Sequence, residues 1–73
     1  MKPQVIVTQP TPSTTVVQAI GPFGGGYTQP GSPQTAVARA AAALTHLGYP
    51  TVNVHLIAPP EIRQALLDQG FEV

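Results

Sequence analysis

His46 and His55 stand nine positions apart, and Glu61, Asp68 and Glu72 are the only carboxylates available to pair with them. A histidine held by a carboxylate can move protons near neutral pH, because the partner orients the ring and stabilises its charged form. Nothing completes such a device here. The chain has no nucleophile elbow, no paired carboxylates at catalytic spacing and no metal-ligand motif. Cysteine is absent, which removes disulfides, thiolate nucleophiles and thiolate metal sites. His55 falls on the polar face of an alternating run and reads as a solvated or interface side chain. His46 falls near the end of a helical run, where a cation complements the helix dipole. No catalytic, metal-binding or cofactor-binding residue is assigned, and the chain is expected not to be an enzyme.

The other stretch that could carry chemistry is GPFGGGYTQPGSP, residues 21 to 33. Strand, glycines and helix start in that order suit a phosphate loop. The residues do not. A Walker loop needs a lysine, and the only one is Lys2. The dinucleotide pattern fails as well, because Gly24, Gly25 and Gly26 are contiguous and position 29 is Gln. Phe23 and Tyr27 flank the glycines, and aromatics on a mobile connection make good contact residues. The segment therefore reads as a flexible loop that orders against a partner.

Charge points the same way. Three cations and three anions cancel, and charged residues make up 8% of the chain, against about a quarter in ordinary globular domains. No charge lies between Lys2 and Arg39. Without a basic patch there is no counterion release to drive nucleic-acid binding. No apolar run reaches membrane-spanning length, and the three apolar residues at positions 5 to 7 are too few for a signal peptide. A virion or cytoplasmic location is expected.

The elements that must position these residues divide into two halves. Six of nine prolines and five of seven glycines precede residue 34. In this half, the β-branched runs at 5 to 8 and 14 to 20 favour extended backbone. Residues 1 to 13 are read as an extended Pro-rich arm or an edge strand, its run at 5 to 8 either pairing with 14 to 20 as a hairpin or completing a neighbour's sheet, and 14 to 73 as a small α/β domain with a Gly/Pro-rich loop at 21 to 33.

Beyond it, Ser32 and Pro33 form a helix start. Val37, Ala40, Ala41, Leu44 and Leu47 then recur at helical spacing, and Gly48 stops the helix. In TVNVHLIA, residues 51 to 58, Val52, Val54, Leu56 and Ala58 share one face, and Thr51, Asn53, His55 and Ile57 the other. Pro59, Pro60 and Glu61 open a second helix with Ile62, Ala65 and Leu66 inward. Gly70 ends it, and Phe71 folds back on Leu66 or Leu67. The expected fold is a two-layer α/β sandwich of order β-β-α-β-α, with residues 71 to 73 a last strand or a tail, and helices on one face.

A core of this size supplies only about 3–5 kcal/mol, so association is the expected extra source of stability. The leading expectation is a structural subunit of a repeated assembly with protein neighbours, a homo- or hetero-oligomer. A bacteriophage virion component, such as a capsid cement or head–tail accessory protein, is the specific form. The contact residues are taken to be Val5, Ile6 and Val7 in the arm, Phe23 and Tyr27 in the loop, and Arg39 with His46 on the first helix. The competing expectation is a small adaptor or inhibitor of a host polymerase or nuclease.

Overall fold

The computed structural model describes residues 2–73. Four strands and two helices form two layers. Strands β1 (Gln4–Thr11), β2 (Thr14–Ile20) and β3 (Gly26–Gly31) come first. A 3₁₀ turn (Pro33–Thr35) leads into α1 (Ala36–Leu47), which is followed by β4 (His55–Ile57) and α2 (Pro60–Asp68). The sheet order is β3-β2-β1-β4. β1 pairs antiparallel with β2 and parallel with β4, while β2 pairs antiparallel with β3. Both helices cover one face of this mixed sheet, so the two-layer α/β reading holds, with one more strand than expected.

Segment 4 to 11 pairs with β2 along its length and with β4 over residues 4 to 6, so it is a strand of the domain's own sheet and not an arm for a neighbour. Its alternation explains the placement. Val5 pairs with Ala19 on one side and Leu56 on the other, and Val7 pairs with Val17. All five side chains are buried, so both neighbouring strands need β1 to complete the core. The prolines at its far end are accommodated by a register shift between Thr8 and Thr11, a bulge that leaves residues 8 to 11 exposed.

The third strand lies inside the segment read as a loop. As an edge strand it can hold Pro30, whose missing N–H faces no ladder partner there. Tyr27 lies opposite Ala19 and Gln29 opposite Val17, which puts both on the helix-covered face.

Ser32 and Pro33 do open the helical segment, through one 3₁₀ turn before the α-helix proper. The inward stripe of α1 is rotated from the expected one: Ala36, Arg39, Ala40, Ala43 and Leu44 are buried, while Val37, Ala41 and Leu47 are half-buried at its border. The slim alanines let the helix lie close on the sheet, and Leu44 fills the space beyond them.

Both helices end as expected. The Gly48 and Tyr49 amides bond the Thr45 and Leu44 carbonyls at 3.0 Å each. The Gly70 and Phe71 amides bond those of Leu67 and Leu66 at 3.2 and 3.0 Å. Each is a Schellman closure with a left-handed glycine, at φ 87° and 105°. Phe71 is thereby folded into the core beside Leu66.

The strand expected over residues 51 to 58 is shorter. Asn53 adopts φ 56°, which reverses the chain and starts the alternation only at Val54. Val54 and Leu56 are buried, whereas Val52 is 45% exposed. The C-terminal residues form a tail alongside. The Val54 amide bonds the Glu72 carbonyl, and the Glu72 amide bonds that of Thr51, both at 2.9 Å. Among the described residues no helix is long and apolar enough to cross a membrane.

Candidate functional site

The connection from β2 to β3 is a built turn. The Gly21 amide donates to the Gly25 carbonyl at 3.1 Å, and the Gly24 amide to that of Gly21 at 3.3 Å. Gly24 and Gly25 adopt φ 90° and 79°, a region that side chains resist. Gly21 has a different reason. A Cβ there would stand 3.1 Å from Cε2 of Tyr49 and 3.0 Å from the Gly24 carbonyl oxygen. Only a glycine lets the Tyr49 ring lie against the neck of the turn. At the tip, Phe23 projects into solvent and is 89% exposed.

The helix-covered face of β3 and the C-terminal end of α1 meet beside this tip. α1 doubles back along β3, so Tyr27 at the start of the strand meets His46 at the end of the helix. Their ring centroids are 4.5 Å apart with planes at 41°. The Schellman closure then carries Tyr49 onto Gly21. The fold thus gathers Phe23, Tyr27 and His46, three of the expected contact residues, at one end of the molecule. Tyr49 joins them and was missed, because a tyrosine after a helix-stopping glycine reads as turn filler. Its only signal is its place as the residue that follows the closing glycine, where an apolar contact back to the helix is common. His46 meets an aromatic ring, and its side chain forms no hydrogen bond among the described residues. Nothing here orients it as a base, whereas aromatic surface is what protein contacts use.

Arg39 sits at the opposite end of β3 and is 8% exposed. Its guanidinium is enclosed by neutral acceptors. Nε donates to Thr35 Oγ1 at 2.9 Å. Nη1 donates to the carbonyls of Gln29 at 2.9 Å and Thr15 at 3.4 Å. Nη2 donates to Thr15 Oγ1 at 2.5 Å and to the Ser32 carbonyl. The Thr15 hydroxyl, fully buried, faces the Gly31 and Ser32 carbonyls at 3.3 and 3.2 Å. A guanidinium has five N–H groups, and all five are engaged inside the fold. Arg39 is therefore a clamp joining α1 to β2 and the end of β3, with no donor left for a partner. Gly31 makes room for it: a Cβ there would be 2.7 Å from Nε.

The remaining expected contact residues lie in the sheet. Val5 and Val7 face the core and are withheld from any neighbour while the domain is folded. Ile6, between them, points to the uncovered face. His55 is exposed on that same face.

A shallow groove of about 560 Å³ runs between the two helices. Val37, Ala41, Ala65 and Phe71 line it, with Gln34 and Asp68 at its rim. Asp68 already accepts a hydrogen bond from Gln64 at 2.9 Å. Among the described residues no three His, Asp or Glu side chains come close enough to hold a metal ion. No family model, no curated protein and no solved structure matches the chain.

Proposed function

We propose that the chain is a non-enzymatic structural subunit that binds neighbouring proteins in a repeated assembly, with the β2–β3 hairpin tip as its plug. The observation that supports this reading is Phe23. The turn is shaped by its glycines and needs no large side chain at its apex, yet it carries a phenylalanine that packs on nothing in its own domain. Burying that ring in a partner pocket releases roughly 1.5–3 kcal/mol. The turn's own hydrogen bonds spare the partner much of the ordering cost. Tyr27, His46 and Tyr49 supply an aromatic rim behind it. With residues 4 to 11 committed to the sheet, the contact falls to the hairpin rather than to an N-terminal arm.

The setting proposed is a bacteriophage virion, with the protein as capsid cement or head–tail accessory. Its test is mass spectrometry of purified particles with absolute copy number. A fixed, high copy number is expected, together with loss of incorporation by Phe23→Ser at an unchanged melting temperature. Absence from particles, with one-to-one binding to a host enzyme, moves the protein to the adaptor class. Normal incorporation of Phe23→Ser removes the plug from the account.

A further inference from the structure

The second face of the sheet is covered by nothing, and its composition is unusual for a surface. The outward row of β1 is Gln4, Ile6 and Thr8, that of β2 is Thr14, Val16, Gln18 and Ile20, and β4 adds His55 and Ile57. No strand residue anywhere in the sheet is Asp, Glu, Lys or Arg. Glu61, Arg63 and Asp68 are on α2 in the other layer, Glu72 is in the tail, Arg39 is internal and Lys2 precedes the first strand. Register makes the apolar members contiguous. Ile6 lies directly opposite Ile57, and diagonal to Val16 and Ile20 across the β1–β2 pair. An uncovered sheet face normally alternates to polar and charged residues. This one presents three isoleucines and a valine framed by amides and hydroxyls.

We infer that this face packs against the same face of a second copy, giving a four-layer α–β–β–α homodimer. Two properties select a copy over another occupant. A twofold interface sets each patch against itself, so a charged group at its centre meets its own like charge; a face without charges escapes that penalty. Its polar groups are amides, hydroxyls and the His55 imidazole, which in its neutral form is also both donor and acceptor, so they can pair with their own kind.

Size fits a modest interface. Four strands about 4.8 Å apart and three to eight residues long present roughly 400 Å² of flat sheet. With side-chain relief counted on both copies, the buried area is on the order of 1,000 Å², the lower limit of specific interfaces. This dimer uses a different surface from the hairpin tip and stands or falls separately.

The experiment is sedimentation equilibrium of the purified full chain from about 1 µM to about 1 mM, with Thr8→Lys/Ile57→Lys and Phe23→Ser as variants. Both lysines replace exposed side chains of the open face. The wild-type chain is expected to pass from 7.6 kDa to twice that mass. Phe23→Ser should do the same, and the double lysine variant should stay monomeric, with association weakened about a hundredfold or more by the unpaired buried charges. A wild-type chain monomeric throughout overturns the proposal, as does a folded double variant that dimerises normally, or loss of the dimer in Phe23→Ser. Should the double variant misfold, methyl shifts of the wild-type chain decide. Concentration-dependent shifts at Ile6, Val16, Ile20 and Ile57 support the interface, and their constancy while the mass doubles places it elsewhere.

Discussion

Replacing Arg39 by methionine keeps most of the aliphatic stem and removes the guanidinium. Its acceptors on three elements then lose their donor. The Thr15 hydroxyl and carbonyl are sealed from water, and a buried acceptor left unsatisfied costs about 1–3 kcal/mol. The Gln29 and Ser32 carbonyls and the Thr35 hydroxyl are only part-buried, so water replaces the guanidinium there at little cost. At the low end for the two buried acceptors, losing the clamp costs about 2–3 kcal/mol. That is a large share of the roughly 3–5 kcal/mol expected for a core of this size. For a domain this short each kcal/mol moves the melting temperature by about 4–8 °C, so Arg39→Met should melt about 10–20 °C lower. Lysine is the discriminating substitution. It keeps the charge and the desolvation cost but has three donors on one compact centre, and it cannot reach acceptors on β2, β3 and the 3₁₀ turn together. Thermal and urea unfolding by circular dichroism should therefore rank Arg39→Lys no better than Arg39→Met. If lysine restores wild-type stability, or methionine is neutral, the fork geometry is not what holds α1 to the hairpin.

Removing residues 1 to 13 deletes β1, the strand that joins β2 to β4, along with two buried valines, so residues 14 to 73 should show no cooperative melt; a sharp transition in their far-ultraviolet signal contradicts a β1 that completes the core. Leu44→Ala, at a fully buried site, should cost about 2–5 kcal/mol and leave little folded protein, whereas His55→Ala on the open face should stay within about 0.5 kcal/mol. Equal losses in urea titrations of the two would mean that β4 is turned over.

The parts of this fold that were legible are those set by local chemistry. Gly48 and Gly70 announced the helix ends because a left-handed residue is needed there and nothing but glycine adopts it freely. Val5, Val7, Val17 and Ala19 kept their strand character in a stretch otherwise full of prolines. What escaped was set by tertiary context. Segment 26 to 31 holds two glycines and a proline, a composition that argues against a strand; only its position at the sheet edge makes Pro30 harmless. Arg39 looked like a surface cation, since nothing local shows that Thr15, Gln29 and Ser32 converge on it from other elements. For Val52 the alternation was correct in period but began two residues too early, before Asn53 turned the chain. Of the contact residues, Phe23 and Tyr27 were legible as aromatics beside glycines. The valines of β1 were misplaced because an uncharged, Pro-flanked run looks alike whether it serves its own sheet or a neighbour's.

The pairing of β1 with β4 carries a consequence for how the domain opens. β1, β2 and β3 follow one another through short turns, and α1 is tethered directly to the last of them. β4 instead finds β1 across roughly fifty residues of chain, a closure with a high entropic cost to form, and it holds that place through only three paired residues. The tail is tied to the segment leading into β4, with Glu72 bonded to Val54 and Thr51, and not to the hairpins. Residues 51 to 73 are therefore expected to open as one unit before the meander and α1, exposing Val5 and the inner side of α1; amide exchange slower across 51 to 73 than across β2 contradicts this.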